Sequence, residues 1–201
     1  MKAYAYKHIA VTFYFIARAG KSIKGMSIDA SMPFYAMQNV RIVNMMRTMK
    51  ATTPINLEGI HQEHGGKLLK GRPEMLVLPT AVGRNIQMFR NGTIQILGPV
   101  SQNKAEAMCH ELTTRTHLQV SPMTTSNVVM SAQLMKKPCL SKIQCSNAHV
   151  FYEIEVFPAI LIRKWEPAHV ALFHNGHVIV TGIKSLEEGH CILQNLKRML
   201  E

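Results

Sequence analysis

The feature that most constrains this chain is that it says the same thing twice. Phe89-Arg90-Asn91-Gly92 is followed by Gly98 and Ser101, and Phe173-His174-Asn175-Gly176 by Gly182 and Ser185. Four landmarks keep one separation, 84 residues (173 − 89). A fixed offset through that many points argues for two tandem copies of one folding unit. Asn39 and Asn127, which precede the landmarks, are 88 apart (127 − 39), so a small length change lies between them. The chain divides accordingly into an extension over 1–35, a first repeat over 36–120 and a second over 121–201.

Each copy ends in a hairpin and a helix. If His174-Asn175-Gly176 is a three-residue loop with Gly176 left-handed, Phe173 sits opposite His177. Side chains alternate along a strand, which sorts the faces. Val170, Leu172, Val178 and Val180 make one apolar face, and His169, Ala171, Phe173, His177, Ile179 and Thr181 a mixed one. Ser185-Leu186-Glu187-Glu188 has capping-box spacing. Ile192, Leu193, Leu196, Met199 and Leu200 then form a stripe at helical period that fits the apolar face. In the first copy Ile86, Met88, Ile94 and Ile96 match Ala105, Met108, Cys109 and Leu112 in the same way. Strands start near Asn39 and Asn127, a short helical or irregular link follows, and three more strands complete each unit. The expectation is helices on one face of each sheet, with the other face bare and a large aromatic on it.

With net charge +11 and pI ≈ 9.7 the chain has a basic surface, which favours a polyanionic partner. Residues 1–35 carry Lys2, Lys7, Arg18, Lys21 and Lys24 against Asp29, and leave two readings open: a solvated extension, or a basic arm along phosphates. The apolar run over 9–17 holds Thr12 and Tyr14 and is read as part of that extension rather than a signal peptide. No stretch approaches the ~18 apolar residues of a membrane span. Cys109, Cys139, Cys145 and Cys191 show no paired spacing, which fits reduced thiols. His61-x-x-His64 and Cys109-His110 lack the second pair a zinc site needs. No catalytic constellation is visible and no cofactor is expected.

The segment Tyr152-Glu153-Ile154-Glu155-Val156-Phe157-Pro158-Ala159-Ile160-Leu161-Ile162-Arg163, with Glu166-Pro167 and Phe173-x-x-Gly176 through Thr181-Gly182-Ile183-Lys184-Ser185, resembles the second repeat of the TATA-box-binding protein core. Ser126-Asn127-Val128-Val129 looks like that repeat's first strand, and Gln38-Asn39-Val40 like its first-half counterpart. Pro54-Ile55-Asn56-Leu57-Glu58-Gly59 is similar to the family's Pro-Ile-Arg-Leu-Glu-Gly. The resemblance spans about 36–201 and is most specific in the second half. It implies an α/β (α+β) pseudo-two-fold saddle, a curved antiparallel sheet of ten strands with helices on the convex side.

The family binds the minor groove with the concave side, and paired phenylalanines wedge between base steps; it is itself the reference case for such wedging. By resemblance, Phe157 and Phe173 form the second-half wedge. Asn127 and Thr181 donate to base acceptors, Val129 and Ile179 give apolar contact, and Arg163 holds a phosphate. Asn39 and Phe89 match in the first half. Most departures lie in that half. Pro73 falls where a wedge belongs, with Met75 nearby, Leu97 replaces the threonine, and Pro79 replaces the arginine. Gln87 and Gln95 stand at apolar positions, and Arg41 stands two after Asn39. With Asn85 they make a face that could hydrogen-bond base edges or meet a protein. The second hairpin is also one residue shorter between Pro167 and Phe173.

The resemblance further implies double-stranded, A/T-rich promoter DNA, general transcription factors and the RNA polymerase machinery as partners, no membrane and no enzyme activity. The drift points to a viral or otherwise specialised member, in the nucleus or, if viral, at a cytoplasmic site of transcription. The alternatives are a scaffold of the same fold without TATA-specific binding, and a fragment of a DNA-repair glycosylase.

Overall fold

Both Asn-Gly sequences fold into the same turn. Strands β4 (Asn85–Phe89) and β5 (Thr93–Leu97) flank the first, and β9 (His169–Phe173) and β10 (His177–Ile183) the second, in this computed structural model. Gly92 and Gly176 have φ of 87° and 84°, a left-handed conformation that glycine adopts without a Cβ clash. Each donates its N–H to the phenylalanine carbonyl three residues back, at 2.9 Å in both turns. Asn91 Oδ1 accepts from Thr93 N at 3.0 Å and Asn175 Oδ1 from His177 N at 2.9 Å, so the asparagine stabilises its own turn. The glycine carbonyls then accept from Ala51 N and Leu134 N, at 2.8 Å each.

The structure describes residues 36–98, 101–145 and 149–201, with the side chains of 144 and 145 left aside. The basic extension over 1–35, and with it the arm and signal-peptide readings, lies outside the described residues. The other strands are β1 (Met37–Lys50), β2 (Lys67–Leu69), β3 (Met75–Pro79), β6 (Thr124–Leu134), β7 (Val150–Phe151) and β8 (Ala159–Ile162). The helices are α1 (Leu57–His64), α2 (Gln102–Thr116), α3 (Leu140–Cys145) and α4 (Leu186–Leu200). The ten strands hydrogen-bond in the order β2-β3-β4-β5-β1-β6-β10-β9-β8-β7, the same succession read outward from β1 and from β6. This is the mixed α+β, two-copy antiparallel architecture the repeat implies. Each copy has one strand more than the three expected after the link. β2 and β7, of three and two residues, are too short to show a periodicity.

Contacts divide the chain into two compact units. One comprises Ile42–Met130 with Thr181–His190. Its register sets Leu76 beside Met88, Met88 beside Ile94 and Ile94 beside Met49, and all four are buried. These side chains join Ala105, Met108 and Leu112 of α2 in one core. Each fully buried large aliphatic there is worth about 1.5–3 kcal/mol by transfer out of water. Ser101 caps α2 by accepting from Lys104 N at 3.5 Å, and His117, at φ 55°, closes it with an N–H to Thr113 O. Asn56 caps α1, and Glu58 and Glu74 clamp Arg90 at the first turn. Arg90 is replaced by His174 in the second copy, so this clamp belongs to the first alone.

The other unit comprises Ser131–Val180 with Cys191–Glu201 and the described residues up to Arg41. Val170, Leu172, Val178 and Val180 are buried, as are Ile192, Leu193 and Leu196 on α4, in line with the two apolar stripes. The opposite face departs from expectation. Ala159, Leu161, Ala171 and Ile179 are at most 4% exposed, so the strands here are covered on both faces rather than one. Part of the cause is visible: Ala159 lies beside Phe173 in register, and Phe151, Val156 and Phe157 line a small hollow with Ala159 and Leu161.

Candidate nucleic-acid interface

In the first unit the helix-free face is ordered by register. Val77 stands beside Gln87, Gln87 beside Gln95 and Gln95 beside Thr48, so one row crosses four strands. Met75 beside Phe89 and Met46 beside Leu97 flank it. Every member is partly exposed, in contrast to the buried alternate residues. Thr48 Oγ1 is engaged at 2.8 Å by Ser126 Oγ. Among the described residues the amides of Gln87 and Gln95 have no such partner.

The same unit holds two asparagines whose side-chain oxygens accept from backbone N–H groups, one locally and one across strands. Asn127 Oδ1 accepts from Gly182 N at 2.9 Å, and Asn44 Oδ1 from Met45 N at 2.9 Å. In each case the oxygen is tied to backbone and the two Nδ2 hydrogens are left to donate. Asn44, not Asn39, is the first-half counterpart of Asn127. Ala51 and Leu134 bond the two turn glycines identically, and seven residues before each stand Asn44 (51 − 7) and Asn127 (134 − 7). Asn39 lies five residues earlier, exposed and at φ 55°. Arg41 therefore does not replace the apolar residue. That position is Met46, the counterpart of Val129, and it keeps its character. Val129 itself is fully buried, while Thr181 beside Gly182 is half-buried.

Register also identifies the first-half counterpart of Phe157. Met75 faces Phe89 as Ala159 faces Phe173. Two residues before these stand Pro73, exposed, and Phe157, half-buried. The second copy carries a phenylalanine pair, Phe157 and Phe173, whereas the first has Phe89 with Met75 as its register neighbour. Pro79, at the end of β3 opposite Asn85, occupies the place of Arg163.

In the second unit the Phe157 and Phe173 rings meet edge to face, 5.9 Å between centroids. Phe173 is also 5.9 Å from the His177 ring. Burial holds the His177 imidazole below its ordinary pKa, and the Arg41 charge adds to the effect. Burial likewise lowers His169, whose Nδ1 is buried without a hydrogen-bond partner among the described residues, with the Arg163 charge acting in the same sense. The Arg163 guanidinium lies 5.3 Å from the centre of the Phe151 ring, in cation–π range. Ile179, expected to offer apolar contact, is fully buried. Among the described residues no three His, Cys, Asp or Glu side chains gather as a metal site, and no helix is long and apolar enough to cross a membrane.

Residues 122–201 match the family model for transcription factor TFIID, or TATA-binding protein. The chain is 25% identical over 169 residues to the TATA-box-binding protein of Methanocaldococcus jannaschii, covering 78% of this chain and 91% of that one. It is 24% identical over 174 residues to that of Methanococcus aeolicus, covering 81% and 94%. With that of Archaeoglobus fulgidus, identity is 34% over 76 residues, 37% of this chain and 42% of the other. The solved structure of Methanococcus jannaschii TBP superposes with a TM-score of 0.69 at 25% identity, covering 81% of this chain and 98% of that chain.

Proposed function

Since the chain is a divergent TATA-box-binding-protein-like protein, we propose that it is a DNA-binding factor of transcription initiation that reads duplex DNA from the minor groove. The observation that supports this most is the half-exposed Phe157–Phe173 pair, Phe173 ending β9 on the side away from the valine core and Phe157 two residues before β8. Paired phenyl rings in that setting suit insertion between base steps, which TA steps accept at low cost. Asn44 and Asn127, with their oxygens engaged, present donors, and the minor-groove edge of A·T pairs offers only acceptors. The net charge of +11 fits phosphate neutralisation. An A/T-rich promoter, general transcription factors and the polymerase machinery are the partners of this reading, in the nucleus or, for a viral member, at a cytoplasmic site of transcription. The protein acts by binding, without catalysis.

The test is the double substitution Phe157→Ala/Phe173→Ala, read by duplex affinity and a bend-sensitive mobility assay. Loss of bending with an affinity drop of at least about tenfold is expected, from ~1–3 kcal/mol per stacked base. Unchanged bending and affinity would refute it. A second reading is favoured by the burial of Val129 and Ile179: a scaffold of this fold that binds transcription factors without TATA-specific DNA contact. It predicts indifference to the double substitution.

A further inference from the structure

We infer that Gln87 and Gln95 make the first repeat select a G·C-containing half-site, so that the protein reads an asymmetric site with A·T pairs under the second repeat only. The inference deepens the minor-groove reading and rests on it. The two glutamines are directly paired across β4 and β5, on the face opposite the helices, and partly exposed. Their neighbours in register, Val77 and Thr48, do not compete for them, because valine has no polar atom and the threonine hydroxyl is held by Ser126. The rows on either side are apolar: Met75 and Phe89, Met46 and Leu97. A duplex lying on this face would therefore cut the amides off from water and leave base edges as their partners.

A carboxamide has two donors and an acceptor. In the minor groove A·T and T·A offer acceptors only, whereas G·C adds the guanine N2 amine as a donor. Against A·T, each glutamine can place its Nε2 hydrogens but leaves Oε1 buried and unpaired. Against G·C, the N2 amine satisfies Oε1 while the neighbouring acceptors take Nε2. An unpaired buried acceptor costs more than a formed hydrogen bond returns, so the preference is for G·C. The corresponding second-repeat positions are Ala171 and Ile179, which have no acceptor to satisfy. The two copies thus differ in the one property that distinguishes base pairs in this groove.

The experiment uses the full chain and a random duplex pool, followed by binding to selected duplexes in which guanine is replaced by inosine. Inosine lacks only the N2 amine. The wild type is expected to enrich an asymmetric site with G·C in one half, and to lose about fivefold in affinity for each critical G·C changed to I·C. Gln87→Val/Gln95→Val, in which valine suits a strand, is expected to convert that half to A·T, leave the other half unchanged, and bind I·C no worse than G·C. Urea unfolding and the unchanged second half-site confirm that the variant is folded. A·T selection in both halves by the wild type, or equal affinity for G·C and I·C duplexes, would overturn this inference while leaving minor-groove binding intact. Enrichment of no duplex at all would overturn both.

Discussion

Asn127→Asp separates the fold from the proposed DNA contact with one isosteric change. The carboxylate keeps an acceptor for Gly182 N, now at 2.9 Å from Asn127 Oδ1, and a charged acceptor makes that bond no weaker. What it loses is the pair of Nδ2 donors, and what it gains is negative charge where base acceptors would sit. A lost hydrogen bond is worth about 1 kcal/mol and an unsatisfied, desolvated polar group about 1–3 kcal/mol more. Their sum, roughly 2–4 kcal/mol, converts to about 30- to 1,000-fold in Kd at 1.4 kcal/mol per decade.

The assay is fluorescence anisotropy on an A/T-rich duplex at fixed salt, since affinities of this kind shift steeply with ionic strength. Urea unfolding serves as the control and is expected to move by no more than about 0.5 kcal/mol. Asn127→Ala inverts the pattern. It leaves Gly182 N without its acceptor, so stability falls by ~1 kcal/mol while the DNA loss is smaller than for Asp. Asn44→Asp should weaken binding in the same sense, its oxygen being held by the adjacent Met45 N at 2.9 Å rather than across strands. Wild-type affinity in Asn127→Asp, with folding intact, would show that this carboxamide only organises backbone.

Four further outcomes follow from the geometry. Gly92→Ala and Gly176→Ala should each lose about 1–2 kcal/mol in urea unfolding, since both force a Cβ into left-handed backbone, 3.2 Å from Ala51 O and 3.1 Å from Leu134 O respectively. Matching losses are the signature of one turn used twice. Gly189→Ala should destabilise despite alanine's helix propensity, because its Cβ would come within 2.1 Å of Met130 Sδ, and Met130→Ala should relieve part of that cost in a double-mutant cycle. Stability should fall as pH drops below about 6.5, the ordinary histidine value, and level off below the folded-state values, because His169 and His177 are held below it by burial. The unfolded chain then binds more protons than the native one. His169→Gln with His177→Gln should flatten that limb of a Tm-against-pH curve, and an unchanged slope would assign it elsewhere.

The fold was legible where chemistry repeats and obscure where only geometry does. Asn-Gly before a glycine and a serine is a hairpin followed by a capped helix on elementary grounds, and it recurs at constant spacing. Ser185 does cap α4, accepting from Glu188 N at 3.2 Å. The reciprocal half of the capping box goes elsewhere, for Glu188 accepts from Lys184 N at 2.8 Å. β2 and β7 were missed because three and two residues carry no pattern. The doubly covered strands did have a signal. Ala159-Ile160-Leu161-Ile162 and Val178-Ile179-Val180 are unbroken apolar runs, the mark of burial on both faces, whereas β4 and β5 alternate cleanly. The one-sided expectation follows from the mixed face of His169, Phe173, His177 and Thr181, whose polar and aromatic members mask the run.

The same contrast explains the misplaced first-half site. The likeness of Gln38-Asn39-Val40 to Ser126-Asn127-Val128 points to Asn39, but a three-residue likeness fixes no register. The constant offset of 84 pointed within one residue of Asn44 (127 − 84 = 43), and the bonds from Ala51 and Leu134 to the turn glycines supply the missing residue. Moving the asparagine by five positions removes Arg41 from the comparison and restores an apolar Met46. The first copy has therefore diverged less at its central strand than the sequence implied. Its divergence lies in Gln87, Gln95, Leu97 and Pro79, on β3 to β5, and in Pro73 just before β3. On the proposed minor-groove reading, a copy that keeps its donor asparagine and its Phe89 while carrying amides at apolar positions would still meet a duplex but favour other base pairs. Loss of DNA binding alone would leave no reason for two register-paired strand positions to become glutamine, unpartnered among the described residues, inside an apolar frame.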